Sequence, residues 1–238
     1  MDIIITGASG FVGGAVVRRA LINPLIGHIF ILSRRPLPSE ISDHEKVTFI
    51  HHTDFCKYSR VLLERLVGCE ACIWCIGGQA SRFPDKRTAK LISVDCPVAA
   101  AISFMTNLAP WVPHRGKFRF VFVSTHYAEW SRKKPMFFMR ETRLMKGSAE
   151  KRLLAVSAYS QNTLDVVIAR PARIMAKEGG WIKSTLAKLT GFIAVDHLAA
   201  NLLEMAAEGS DTWHSPIVEA KDLIQMRFLQ YSDGLPLF

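Results

Sequence analysis

The 238-residue sequence is short of acidic residues, of tyrosine and of cysteine, and it has no uninterrupted apolar run of bilayer length. Only 21 Asp and Glu stand against 30 Lys and Arg, a formal net charge of +9. An excess of that size invites nucleic acid or anionic lipid as a partner. The cations are scattered, however, with short clusters at Arg34-Arg35, Lys86-Arg87, Arg132-Lys133-Lys134 and Lys151-Arg152. None interleaves with an aromatic platform or a base-reading motif, so nucleic acid is not an expected partner. A ligand carrying several phosphate charges, together with a basic surface, accounts for the excess. No apolar run reaches the roughly 20 residues of a spanning helix, so integral membrane association is not expected. The sequence opens on Met1-Asp2 and passes directly into an apolar stretch with no room for a leader, which predicts a cytoplasmic protein.

The five cysteines are odd in number, and Cys69, Cys72 and Cys75 form a C-x-x-C-x-x-C with the look of a metal knuckle. Cys72 and Cys75 fall within the apolar run 71–76, where a strand turns successive side chains to opposite faces and a knuckle cannot form. The reading is therefore free buried thiols in a reducing compartment and no metal. Hydrophobic residues make up 49% and charged residues 21%, a globular balance, and the length suits one domain with a well-buried core. There is no internal repeat, low-complexity tract or linker.

What the sequence does have is a run of β-branched residues that ends abruptly in glycines: Ile3-Ile4-Ile5-Thr6-Gly7-Ala8-Ser9-Gly10-Phe11-Val12-Gly13. With the amphipathic stretch 12–21 behind it, this spacing predicts strand, tight turn and helix. Glycines there let the backbone approach a pyrophosphate and seat a helix whose N-terminal N–H groups face the anion. Ser9 adds a hydroxyl donor. A second strand is predicted at His28–Ser33, ending in Arg34-Arg35, about where a dinucleotide fold places the group that reads the adenosine ribose. Two arginines and no acid favour a 2′-phosphate, hence NADP(H) over NAD(H).

Further strands are predicted at Val47–His51, 71–76, Phe118–Val123 and Leu164–Ala169, and helices at 57–66, within 88–108, at 140–157 and at 196–207. Asp54 either accepts from an adenine amino group or caps the helix 57–66. Strands alternating with helices at this spacing predict an α/β doubly wound parallel sheet, Rossmann-like, in a single domain over 1–238. Segment 131–140 carries Met136-Phe137-Phe138-Met139 behind three cations; a peripheral membrane contact, a lid over an apolar substrate and plain packing all remain open for it.

These landmarks in this order resemble the short-chain dehydrogenase/reductase superfamily in its extended or atypical branch, with the flavour of the Tat-interactive-protein oxidoreductases. Thr6-Gly7-Ala8-Ser9-Gly10-Phe11-Val12-Gly13 carries most of the likeness. Leu32-Ser33-Arg34-Arg35, Asp54, Cys75-Ile76-Gly77, Val94-Asp95, Val123-Ser124, Lys146 to Glu150, Ala169-Arg170-Pro171 and Val195 to Ala199 follow in order. The resemblance implies a coenzyme across the strand ends, with Gly7, Gly10 and Gly13 under the pyrophosphate and Arg34 and Arg35 at the 2′-phosphate. It places Gly77 near the nicotinamide ribose and Pro171 behind the nicotinamide ring. Ser9, Phe11, Val12, Asp54, Phe55 and Cys75 complete the expected coenzyme contacts.

For catalysis, the resemblance implies that Ser124 orients the substrate carbonyl and that Lys146 holds the ribose. Here the pattern breaks: four residues before Lys146, where the family keeps the tyrosine that donates the proton, stands Thr142. Its hydroxyl is too weakly acidic to replace a phenol. Tyr127 and His126, just beyond Ser124, are the candidate replacements, and Thr142 itself can still bond a substrate oxygen. The expected function is NADPH-dependent reduction of a small hydrophobic carbonyl or enone, with aromatic and polyketide-like compounds among the candidates. Alternatives are a non-redox dehydratase or isomerase on the same fold, and an inactive NADP(H)-sensing protein. Segments 172–190 and 210–238 are expected to form the substrate-side cap, with Trp181, Phe192, Met226 and Phe228 as apolar lining. Monomer and homodimer both remain open.

Overall fold

The computed structural model describes residues 1–113, 116–176, 192–213 and 215–225. Its strands are β1 (Asp2–Thr6), β2 (His28–Ser33), β3 (Val47–His51), β4 (Ala71–Trp74), β5 (Phe118–Val123), β6 (Leu164–Ala169), β7 (Arg173–Met175), β8 (Phe192–Ala194) and β9 (Ile217–Val218). Seven of them form one sheet in the order β3-β2-β1-β4-β5-β6-β9, parallel throughout, while β7 and β8 pair separately. The doubly wound sheet predicted from the alternation of elements is thus present. After β3 the chain crosses over to β4 on the other side of β1, and that switch of direction opens a crevice at the carboxyl ends of the two central strands.

The helices are α1 (Phe11–Leu21), α2 (Ser39–Ser42), α3 (Arg60–Arg65), α4 (Lys86–Lys90), α5 (Cys96–Asn107), α6 (Arg140–Tyr159), α7 (Val195–Glu208) and α8 (Ala220–Gln225). Both faces of the sheet are covered, which is why the central strands are apolar on both sides instead of alternating. Ile3, Ile5, Val121 and Val167 pack under α1 and α7 with Val16, Leu198 and Leu202. Ile4, Trp74, Phe118, Phe120 and Phe122 face the opposite layer with Phe104, Met145, Ala149 and Leu153 from α5 and α6. Trp74 stacks on Phe120 at 5.9 Å, and Phe104 meets both Phe118 and Phe120. Burial of each such side chain is worth roughly 1.5–3 kcal/mol, so this aromatic layer fixes where α5 and α6 lie.

Several local expectations change. β4 stops at Trp74, leaving Cys75 and Ile76 in the loop beyond it. α3 starts at Arg60, not 57, because the Ser59 hydroxyl accepts from Leu62 N at 3.2 Å. Asp54 is therefore not the cap; it accepts instead from Cys56 N at 3.0 Å. Cys56 and Cys96 are joined in a disulfide, against the expectation of free thiols, whereas Cys69, Cys72 and Cys75 are free. Burial pushes all three free thiols up, Cys75 to about 12.

α4 and α5 are one helix interrupted by a π turn at Leu91–Asp95. The whole rod, Lys86–Asn107, is long and apolar enough by length and composition to cross a membrane, although polar residues interrupt its apolar run. Its apolar side lies on the sheet: Ala89, Val94, Ala100, Ala101 and Phe104 are all in the core. Of the expected cap, 177–190, 214 and 226–238, with Trp181, Met226 and Phe228, lie outside the described residues. Phe192 sits in β8 with the Arg173 guanidinium 5.8 Å from its ring centroid. Part of 210–238 joins the main sheet, since Ile217 and Val218 of β9 pair with Ile168 and Ala169.

Candidate functional site

The turn after β1 is built so that only glycine fits. Gly7 has φ +73°, and a Cβ on it would stand 2.8 Å from the Cys75 carbonyl carbon. A Cβ on Gly13 would overlap the Gly7 carbonyl oxygen, because α1 is seated directly on the turn. Gly10 N donates to Gly7 O at 2.9 Å and closes the turn. Gly10 is also the N-cap of α1, and no side chain caps that helix or adds an acid to its first turn. Its leading N–H groups and the positive end of its dipole are left for an anion.

A cleft of about 320 Å³ opens at this point. Gly7, Ser9 and Gly10 form its floor, Arg34 and Arg35 one end, Asp54 and Phe55 the side beyond β3, and Cys75 and Gly77 the side beyond β4. Nine residues expected from the sequence to touch a coenzyme therefore line one cavity. Arg35 Nη2 donates to Ser9 Oγ at 3.1 Å, which ties the arginine pair to the glycine turn across the cleft. Phe11, Val12 and Gly13 do not line it: Phe11 is exposed on α1 and the other two sit behind the turn. Thr53, Leu91, Ile92 and Cys96 also line the cavity. The last three were missed because their apolar spacing on a helix reads as core. The Cys56–Cys96 disulfide ties this wall to the segment that follows Phe55.

Of the other expected residues, Thr142 and Lys146 are on α6, while Ser124, His126 and Tyr127 follow β5. Lys146 is 8% exposed; its Nζ donates to Val123 O at 2.7 Å and stands 4.5 Å from the Phe122 ring centroid. A Cβ on Gly77 would come within 3.0 Å of that Nζ, so the lysine reaches the cleft's rim at Gly77. Burial pushes its ammonium down to about 8, with Glu150 and then Cys75 pulling it partly back up. The sign follows directly. Below pH 8 the charge is carried folded and unfolded alike and its full desolvation cost is present. Between about 8 and 10.5 only the unfolded chain holds the proton, and the cost fades. Wild type is expected to gain roughly 3 kcal/mol over Lys146→Met between pH 7 and 10.5 in urea unfolding. A pH-independent difference would mean that the lysine titrates as it does in water.

Thr142, one turn before Lys146, accepts a hydrogen bond from Ala80 N at 2.8 Å. Ser124 is buried, and its hydroxyl donates to Glu150 Oε1 at 2.5 Å. Glu150, one turn beyond Lys146 on α6, is fully buried and forms a hub. It accepts from Trp130 Nε1 at 2.6 Å and takes both Nε and Nη2 of Arg170, at 3.0 and 2.6 Å. Arg170 Nη1 reaches Glu219 at 2.7 Å, and these carboxylates, Glu150 first, hold the guanidinium above its usual pKa. His126 and Tyr127 lie outside this hub. His126 Nδ1 is 3.8 Å from Glu219, the His126 backbone N–H donates to Pro171 O at 2.9 Å, and Tyr127 is half exposed with the Arg143 guanidinium 5.9 Å from its ring. Among the described residues, no three His, Cys, Asp or Glu side chains cluster as a metal centre needs.

A glycine turn between the first strand and helix, with a cleft at the switch of strand order, is the arrangement of a dinucleotide site. The model of one family, described as NAD(P)H-binding, matches residues 7–208. The chain belongs to the NAD(P)H-binding family. The chain also shares its fold with solved proteins that bind NADPH or NAD. Yeast methylglyoxal/isovaleraldehyde reductase Gre2, solved with NADPH, superposes with a TM-score of 0.68 at 14% identity, over 86% of this chain and 74% of that one. MoeE5, solved with UDP-glucose and NAD, gives 0.63 at 19% over 88% and 73%. Leucinostatins biosynthesis cluster protein T of Purpureocillium lilacinum is 33% identical over 124 residues, 52% of this chain and 42% of that protein. The chain thus matches less than half the length of this curated relative.

Proposed function

We propose that the chain is an NADP(H)-dependent reductase of a small hydrophobic carbonyl or enone. The observation that carries the coenzyme preference is the arginine pair at the end of β2, lining the cleft and bonded through Arg35 to Ser9 of the glycine turn. A guanidinium in that position grips a phosphate with two parallel hydrogen bonds, where an NAD-binding site wants a carboxylate for two hydroxyls. Gly7, Ser9 and Gly10 hold the pyrophosphate, Asp54 and Phe55 flank the adenine, and Lys146 reaches the nicotinamide ribose beside Gly77. The coenzyme supplies the hydride. The protein supplies orientation, a dry wall from Leu91 and Ile92, and a proton.

The proton source is the unusual part. Ser124 has its hydroxyl hydrogen committed to Glu150; Thr142 accepts from Ala80 N and keeps its hydrogen, but an alkyl hydroxyl is too weakly acidic to serve as the proton source. His126, Tyr127 and Lys146 remain as donors. An enone suits such a site better than a ketone, because protonation at carbon after hydride transfer can come from water. The committed Ser124 hydroxyl, with threonine in place of a phenol at 142, favours one second reading, a coenzyme-sensing protein that turns nothing over. Absorbance at the NADPH band with a panel of aromatic ketones and enones separates them. Consumption of NADPH by an enone supports the reductase; saturable binding with no consumption across the panel supports the sensor; absence of binding by either coenzyme removes both.

A further inference from the structure

The sequence left segment 131–140 open among membrane contact, lid and packing; Met136 and Met139 are partly buried, and the two phenylalanines between them are not. Phe137 is fully exposed and Phe138 is 63% exposed, side by side in the loop before α6. Single exposed apolar residues are ordinary on a protein surface, but two adjacent phenylalanines held out into water are not. They are followed by Met139, whose left-handed backbone (φ 49°) turns the chain into α6. Arg132, Lys133, Lys134 and Arg140 flank the pair and are all exposed. The carboxylates facing them are Glu129, 3.0 Å from Lys134, and Glu141, 3.3 Å from Arg140 and 2.9 Å from Lys86. Charge around the two rings is therefore net positive.

We infer that this loop is a docking tip for an anionic lipid surface, with Phe137 and Phe138 entering the headgroup boundary and Arg132, Lys133 and Lys134 lying against the lipid charge. Aromatic residues beside cations are the pattern of interfacial binding. A second copy of this chain is the poorer occupant, since a two-fold contact would press one cationic cluster against its equal on a molecule already carrying +9. The placement also matters for access. The loop runs directly into the turn of α6 that carries Thr142, which is bonded to Ala80 near the Gly77 rim of the cleft. Docking would present that end of the cleft to the bilayer. This goes beyond the reductase reading and does not depend on it.

The test is co-sedimentation of the full chain with phosphatidylcholine vesicles and with vesicles in which about a third of the lipid is phosphatidylserine. Wild type is expected to bind the phosphatidylserine vesicles at least tenfold better, with the advantage lost at high salt. F137S/F138S is expected to bind about tenfold more weakly, and R132E/K133E/K134E at least about a hundredfold more weakly. Unchanged thermal unfolding and unchanged NADPH binding would show that both variants are folded. Absence of wild-type binding to either vesicle overturns the inference. Undiminished binding by either variant overturns it as well, because the general basic surface would then be responsible. So does a dimer in sedimentation velocity that F137S/F138S dissociates while vesicle binding is unchanged.

Discussion

The Arg34→Ala/Arg35→Ala double variant is expected to lose about a hundredfold in affinity for NADPH and no more than about threefold for NADH. Each charge-assisted contact to a phosphate is worth roughly 1.5 kcal/mol at an exposed position, and two of them together give the hundredfold. Both side chains are exposed at the cleft's end, so their bonds compete with water and the lower end of the range applies. NADH, which lacks the phosphate, feels only the release of Ser9 from Arg35 and the loss of some general attraction. Isothermal titration of both coenzymes reads the two numbers. Equal losses would place the arginines away from the 2′-phosphate and withdraw the preference for NADP(H).

The second large effect is on stability. Glu150→Ala leaves Arg170, whose side chain is 14% exposed, with one exposed partner and strands the Ser124 hydroxyl and the Trp130 indole N–H. Removing one member of a buried ion pair costs about 3–5 kcal/mol, because the remaining charge stays desolvated. For a chain of this length that lowers the melting temperature by on the order of 10 °C. Glu150→Gln keeps the shape and one acceptor oxygen, and its loss should be smaller. A melting temperature for Glu150→Ala within a degree of wild type, by circular dichroism, would show that water replaces the carboxylate at no cost.

The central sheet and the glycine turn were legible because their signals are local: β-branched runs, glycine spacing, and a helix of the right length after each strand. Arg34, Arg35, Asp54, Cys75 and Gly77 were legible for the same reason, since each stands just past a strand end and parallel strands bring all such ends to one edge. Glu150 was not. Four residues after Lys146 on a helix, it has the spacing of a surface ion pair, and its true partners come from 20 to 26 residues away on three other segments. The Cys56–Cys96 bond spans 40 residues, and nothing in the spacing of five cysteines points to it. Ser59 lost to Asp54 as the expected cap because the start of α3 was set three residues early. The exposure of Phe137 and Phe138 was equally hidden, since an apolar tetrad in a sequence is the same whether it packs or protrudes.

The π turn at Leu91–Asp95 admits one residue more than a regular helix would hold, so the rod before it and the rod after it are rotationally out of step. Leu91 and Ile92 can therefore face the cleft while Ala100 and Phe104 keep their seat against the aromatic layer of the sheet. Asp95, at the end of that wider turn, is clamped by Arg152 of α6 at 2.7 Å. Phase is absorbed there, so one continuous rod both lines the cleft at Leu91 and Ile92 and seats Ala100 and Phe104 in the core.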